Sequence, residues 1–220
     1  MAPRTEIKTI MFLDLVNYTR TTQQLRRDEF DRLHDVFDSL TLPKFEHYHG
    51  TMVKKIGDAF LVTFNSATDA VLCAVDLQRS FAQYNREKKI KQPLSLRIAL
   101  HAGEIITKNK DVYGDAVNIA ARLEQLTKPH HIVLSETVFS AMNKNEIPLI
   151  HLGVKKLKGV RYPLRLFRVR GNYDTGSFAG VGKKIVRKTM RVGWNLALVL
   201  MLIVIIGLVL FFVFRYLGIL

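Results

Sequence analysis

One uncharged segment, residues 194–214, limits the folds open to this chain more than any other feature. It begins at Trp194 and contains no Asp, Glu, Lys, Arg or His. As a helix, its 21 residues would reach roughly 31 Å, the thickness of the hydrocarbon core of a bilayer. A core helix of a soluble protein at this length would show a polar face, which this segment lacks. The sequence therefore predicts a single transmembrane helix over 194–214.

Basic residues flank this segment unevenly. Only one basic residue, Arg215, follows the segment closely. Five basic residues precede it: Lys183, Lys184, Arg187, Lys188 and Arg191. The positive-inside rule then predicts a single-pass membrane protein with residues 1–193 in the cytoplasm. The basic cluster also suits contact with anionic membrane lipid, and the two interpretations stay open together.

Residues 1–170 read as one domain, and residues 171–193 as a glycine-rich and then basic linker. Over the whole chain, 48% of the residues are hydrophobic and 24% charged, which excludes a wholly disordered protein. The net charge of +14 favours anionic partners, namely nucleotides, nucleic acid or lipid headgroups. No recognition helix appears among the scattered lysines, so we expect no nucleic-acid partner. The single cysteine, Cys73, excludes an intramolecular disulfide.

Hydrophobic periodicity predicts an α+β domain. The pattern favours a ferredoxin-like βαββαβ core with extra C-terminal strands and helices, and with the helices on one face of the sheet. Pro43 is expected to kink or interrupt the first helix. The predicted strands lie at 7–16, 51–56, 59–64, 94–100, 104–107, 132–134, 151–158 and 164–169, and the predicted helices at 20–48, 66–88, 114–126 and 136–142.

Two acidic residues stand where apolar strands end. Asp14 interrupts the run Phe12–Thr19, and Asp58 follows Gly57 at a predicted hairpin. A buried carboxylate is costly unless it is paired or binds a metal, and two that converge suit Mg²⁺ or Mn²⁺. A capping role for Asp14 and an ordinary turn role for Asp58 are the alternatives.

A third segment, Asp111–Arg122, places Asn118 and Arg122 four residues apart on a predicted helix, so both share one face. A neutral donor beside a fixed cation suits a sugar and a phosphate. A solvated pair is the alternative. A fourth segment contributes Lys158, which carries no information by itself.

Taken together and in order, these four segments resemble the catalytic domain of class III nucleotidyl cyclases, the adenylyl and guanylyl cyclase family, over about residues 5–170. The motifs most specific to this family are Lys-x-Ile-Gly-Asp and, after it, Asp-Val-Tyr-Gly-Asp-x-Val-Asn-x-Ala-x-Arg. The resemblance implies a homodimer with its active sites at the subunit interface, each holding two Mg²⁺ or Mn²⁺ ions.

The same resemblance assigns roles to individual residues. Asp14 and Asp58 of one chain would bind the metal ions, assisted by the Leu15 carbonyl. In the other chain, Asn118 would orient the ribose and Arg122 would stabilise the reacting phosphate. Nucleotide binding is implied for six further positions: Lys54 and Asp111 of that other chain at the purine, Lys158 at the terminal phosphates, and the backbone around Asn17, Tyr18 and Thr19 at phosphate.

The base-reading pair predicts ATP as substrate, because Asp111 accepts from the adenine amino group while Lys54 donates to N1. Guanine presents the reverse polarity. Two positions depart from the family pattern: Asn17 stands where glycine is common, and Glu104 where some relatives have an arginine. The leading hypothesis is an adenylyl cyclase that forms 3′,5′-cyclic AMP and pyrophosphate. A catalytically silent nucleotide-binding or dimerisation module at the membrane and a guanylyl cyclase are the alternatives.

Overall fold

The computed structural model describes residues 4–16, 18, 26–88 and 93–171. The chain divides into two compact units, Met1–Gly176 and Ser177–Leu220, and every described residue belongs to the first. No helix among the described residues is long and apolar enough to cross a membrane. The predicted transmembrane helix and most of the linker, from residue 172 onward, lie outside the described residues.

The described part of the chain forms eight strands and four helices, which confirms an α+β fold. In chain order they are β1 (Arg4–Leu15), α1 (Arg27–His47), β2 (Thr51–Ile56), β3 (Ala59–Phe64), α2 (Ala67–Glu87), β4 (Leu96–Lys108), β5 (Asp111–Tyr113), α3 (Asp115–Leu126), β6 (Ile132–Ser135), α4 (Glu136–Ala141), β7 (Leu149–Lys155) and β8 (Leu164–Val169).

All eight strands belong to one sheet, in the order β2-β3-β1-β4-β6-β8-β7, with β5 paired to β4. The first four strands and the helices α1 and α2 have the predicted βαββαβ connectivity. Strands β1 and β4 are antiparallel along their full length, and their register places Asp14 opposite Arg97.

Helices cover both faces of this sheet, so the prediction of helices on one face is wrong. On one face, Phe37 of α1 packs against Phe60 of β3, with ring centroids 5.0 Å apart. On the other face, Ile10 and Leu61 share a core cluster with Ala116 and Ala120 of α3. The reason lies in β1 and β3, which are apolar at successive positions, since strands that bury both faces need cover on both.

Three local predictions also need correction. β4 is one strand of 13 residues where two shorter ones were predicted, because β1 pairs with it throughout. The short strand β5 was not predicted. Helix α1 runs through Pro43 to His47, because Pro43 is exposed and the buried side chains Phe37 and Phe45 form an uninterrupted face. Residues 20–25 of that predicted helix lie outside the described residues.

Candidate active site

The two predicted metal ligands come together at one end of the sheet. Asp14 is the penultimate residue of β1, and Asp58 lies in the turn between β2 and β3. The Leu15 N–H donates to the Asp58 carbonyl oxygen at 3.3 Å, which ties the turn to the end of β1. Burial, and then the neighbouring Asp14 charge, raise the pKa of the Asp58 carboxyl to about 7. The two carboxyl groups therefore interact directly.

An arginine and a glutamate that the sequence analysis did not identify complete this end of the sheet. Nε of Arg97 donates to Oδ2 of Asp14 at 2.8 Å. The same guanidinium forms an ion pair with Glu124 of α3. Burial raises the pKa of the Glu124 carboxyl to about 7 and outweighs the opposite effect of Arg97.

These residues fit divalent metal ions. The carboxyl groups of Asp14 and Asp58 converge here, with the Arg97 guanidinium on Asp14, and oxygen ligands are the ones Mg²⁺ and Mn²⁺ prefer. Among the described residues, Glu124 Oε1 is buried and has no hydrogen-bond partner besides its ion pair with Arg97. Among the described residues, no group of three or more acidic, histidine or cysteine side chains is arranged so that it could hold a metal ion. Such a small number of protein ligands is typical of Mg²⁺ sites in which one or two carboxylates and the substrate phosphates bind the ion together.

The predicted base-reading residues contact each other. Nζ of Lys54 on β2 donates to Oδ2 of Asp111 at 2.7 Å. The other oxygen of Asp111 accepts the backbone N–H of Val112 at 2.8 Å. The Lys54 hydrogen bond, followed by the Val112 one, holds the pKa of Asp111 below its usual value. The pair thus presents a cationic donor and an anionic acceptor side by side.

Asn118 and Arg122 line one cavity of 460 Å³ beside the turn that joins β7 and β8. That turn is closed by the Val160 N–H, which donates to the Leu157 carbonyl at 3.1 Å. Gly159 lies in the turn with φ +73°, and a Cβ there would be 3.1 Å from Nη2 of Arg122. The other lining residues are Asp115, Ile119, Val160, Arg161 and Tyr162. Lys158 is exposed next to Gly159 and is not among the lining residues.

The segment predicted to bind phosphate is described only at Tyr18, and Asn17 and Thr19 lie outside the described residues. The Tyr18 hydroxyl is 2.6 Å from Nε2 of His34, which connects Tyr18 to α1. Burial and then Asp58 raise the pKa of Tyr18, so this ring lies near the carboxylates.

Helix α3 contributes to both groups of side chains. Glu124 contacts Arg97 near the carboxylates, whereas Arg122 lies against Gly159 in the cavity. Two residues along a helix correspond to about 200° of rotation, so the two side chains leave opposite faces. Asn118 shares the face of Arg122 and lines the same cavity.

Comparisons with known proteins identify the family and the fold. The model of the family "Adenylate and Guanylate cyclase catalytic domain" matches residues 1–171, and the chain belongs to that family. Its fold is similar to an adenylate/guanylate cyclase/hydrolase from Silicibacter pomeroyi, with a TM-score of 0.71 and 28% identity over 78% of this chain and 100% of the other. Adenylyl cyclase CyaB from P. aeruginosa has the same fold, with a TM-score of 0.71 and 21% identity over 78% and 97% of the two chains.

Curated relatives are longer proteins. The chain is 28% identical over 165 residues to putative adenylate cyclase 3 of Rhizobium meliloti, which covers 74% of this chain and 28% of that protein. It is 30% identical over 129 residues to an adenylate cyclase of Streptomyces coelicolor, with 59% and 32% covered. The chain thus spans less than a third of the length of either relative.

Arg97, Glu124 and Gly159 are the residues at these sites that sequence reasoning missed. Arg97 carried a weak signal, since it is a charge inside the apolar strand 94–100. Glu124 and Gly159 carried none, because an acid near a helix end and a glycine in a turn are both ordinary.

Proposed function

We propose that this protein is an adenylyl cyclase that converts ATP to 3′,5′-cyclic AMP and pyrophosphate at the interface of a homodimer. The observation that carries the proposal is the Lys54–Asp111 pair, 2.7 Å apart, in a domain of the cyclase family. Relatives described as adenylate cyclases support the same reaction.

The choice of ATP follows from hydrogen-bond polarity. Adenine offers an amino donor and a ring acceptor, and the pair offers one acceptor, Asp111, and one donor, Lys54. Guanine would place an acceptor and a donor in the opposite order, so buried polar groups would lose their partners.

In the proposed reaction, the ribose 3′-hydroxyl attacks the α-phosphorus in line and pyrophosphate leaves. Asn118 orients the ribose, and the Arg122 guanidinium stabilises the negative charge that develops on the phosphate. Lys158, exposed beside Gly159, can reach the terminal phosphates of a nucleotide. Two divalent ions, held by Asp14, Asp58 and the Leu15 carbonyl, would lower the pKa of the hydroxyl and neutralise the phosphates.

The two faces of α3 support the proposed homodimer. Asn118 and Arg122 face the cavity next to Gly159, on the side of the helix opposite to Glu124 and the carboxylates. One substrate therefore meets both groups most simply when the carboxylates come from one chain and Asn118 and Arg122 from the other.

We also propose that residues 194–214 anchor the protein in a membrane, with the catalytic domain on the cytoplasmic side and the basic cluster at the lipid surface. The uncharged segment and the five basic residues that precede it support this arrangement. Membrane fractionation with an alkaline carbonate wash tests it: release of the full-length chain into the wash would contradict a spanning helix.

The decisive test measures cyclic products from ATP and from GTP, with Mg²⁺ and with Mn²⁺, by mass spectrometry. We expect cyclic AMP, and loss of turnover in Asp14→Ala and in Asp58→Ala. Asp28→Ala, which changes an exposed carboxylate of α1, is the matched control. Turnover in either site variant within about threefold of the parent would contradict the assignment, since loss of a metal-site charge costs far more.

The same assay separates the alternatives. Nucleotide binding without any cyclic product would indicate a silent binding module, and a preference for GTP would indicate a guanylyl cyclase. Lys54→Glu with Asp111→Cys should shift the kcat/KM ratio from ATP toward GTP. An unchanged ratio in an active variant would mean that these residues do not read the base.

A further inference from the structure

Arg97 lies between two carboxylates at the proposed metal site. On β4 it stands directly opposite Asp14 of β1, so the strand register places both side chains on the same face of the sheet. Nε and Nη2 of Arg97 both donate to one oxygen of Asp14, Oδ2, at 2.8 and 2.5 Å. The guanidinium thus orients the carboxylate through one oxygen and leaves Oδ1 uncommitted to Arg97.

Oε1 of Glu124 forms an ion pair with Nε of Arg97, the same nitrogen that donates to Asp14. Glu124 reaches Arg97 from α3, and its side chain is 13% exposed, compared with 10% for Asp14. In such surroundings an isolated Arg97–Asp14 pair would be strong, and a metal ion would have to compete with it for Asp14. In its ionised form, the Glu124 carboxylate offsets part of the positive charge of the guanidinium.

We propose that Glu124 is a positioning residue for the metal site. Through Arg97 it keeps the Asp14 carboxylate oriented, and its own negative charge prevents the guanidinium from neutralising Asp14. This inference rests on the proposed function, because it assumes that Asp14 binds a divalent ion. It concerns two residues that neither touch the nucleotide nor serve as metal ligands.

The inference predicts opposite consequences for single and double variants. Glu124→Gln keeps the shape of the side chain but releases the full Arg97 charge toward Asp14, and we expect the Kd for Mn²⁺ to rise about tenfold. Arg97→Gln with Glu124→Gln restores the net charge of the cluster, and the Kd should return to within about threefold of the parent. Loss of packing at Glu124 would not be repaired by a second substitution.

The measurement is the titration of free Mn²⁺ by electron paramagnetic resonance, using the full-length protein with a non-cyclisable ATP analogue and the analogue alone as reference. Glu136→Gln, which removes the charge from the exposed Arg165–Glu136 pair on α4, is the matched control and should leave the Kd unchanged. Glu124→Asp, which retains the charge, should bind Mn²⁺ more tightly than Glu124→Gln. In steady-state assays the Glu124→Gln defect should lie mainly in the KM for metal, with kcat largely retained at saturating Mn²⁺.

Asp14→Ala separates this inference from the proposed function. If Asp14→Ala leaves the Kd for Mn²⁺ unchanged, the proposed metal site itself is wrong. If Asp14→Ala abolishes binding while Glu124→Gln leaves the Kd unchanged, only the role of Glu124 is overturned. A double variant as weak as Glu124→Gln would also overturn it.

Discussion

His101 is a buried histidine with a clear physical consequence for stability. It is 4% exposed, and its Nδ1 lies 2.8 Å from the Ser135 hydroxyl oxygen. Burial lowers the pKa of its imidazole from 6.5 to about 4. The ring is therefore neutral in the folded protein at a pH where it is protonated in the unfolded chain.

Because the folded pKa lies below the unfolded one, His101 should reduce stability as the pH falls from about 6.5 toward 4. Linkage predicts a loss of about 2 kcal/mol in the free energy of unfolding between pH 7 and pH 5 from this residue. His101→Asn, which can keep a hydrogen bond to Ser135, should remove that part of the pH dependence. The measurement is urea unfolding of the full-length protein at both pH values, followed by circular dichroism.

His47→Asn serves as the control, since His47 is an exposed residue in the last turn of α1. The His47→Asn variant should show the same difference in the free energy of unfolding between pH 7 and pH 5 as the parent protein. If the His101→Asn variant shows the full parental difference in the free energy of unfolding, other groups cause the loss of stability at low pH.

Among the structural elements, the turn between β7 and β8 controls Arg122 most directly. Gly159 supplies a left-handed backbone conformation, φ +73°, and leaves room for the guanidinium of Arg122. Helix α3 in turn approaches β4 closely at Gly103, where a Cβ would be 2.9 Å from Cβ of Ala116. Two glycines thus allow the close contacts that position α3 and its Arg122 side chain.

Gly159→Ala should lower kcat roughly 10- to 100-fold, because the new methyl group displaces Arg122, which we propose stabilises the reacting phosphate. The effect on the KM for ATP should be smaller, since the base-reading pair is elsewhere. Steady-state kinetics of the full-length protein check both quantities.

Gly153→Ala provides a matched control for backbone strain. Gly153 also has a positive φ, +82°, but a Cβ there would meet none of the described residues within 4 Å. Both variants should lose similar stability, while only Gly159→Ala should lose kcat. Equal losses of kcat in the two variants would argue against a specific contact with Arg122.

For the whole molecule, the strongest consequence of the proposed homodimer is complementation between inactive chains. Asp14→Ala and Asn118→Ala should each be nearly inactive. An equal mixture should recover up to about a quarter of parental activity, because half of the dimers are mixed and each mixed dimer keeps one of two sites. Cyclic AMP formation after co-reconstitution of the two full-length variants is the measurement.

A mixture of Asp14→Ala with Asp58→Ala is the control, because both substitutions affect the same group of ligands and no site stays complete. This mixture should remain inactive. Failure of the first mixture, despite proven mixed dimers, would mean that each chain builds its own site.

Local chemistry let much of this protein be predicted from its sequence. Alternating and continuous apolar runs predicted the main strands and helices, and acids placed where strands end predicted that Asp14 and Asp58 meet. The spacing of Asn118 and Arg122 predicted one helix face, and both residues line one cavity. These features depend on residues close together in the chain or on the high free-energy cost of burying a carboxylate. They can therefore be predicted from the sequence.

Tertiary structure alone decided the rest. Strand register and helix packing decided three features. Helix α3 covers a second face of the sheet, Arg97 stands opposite Asp14, and Glu124 contacts Arg97. Gly159 acquires its role only where its turn meets Arg122. Each of these contacts joins residues distant in sequence, and its free energy exists only once the core has brought the elements together.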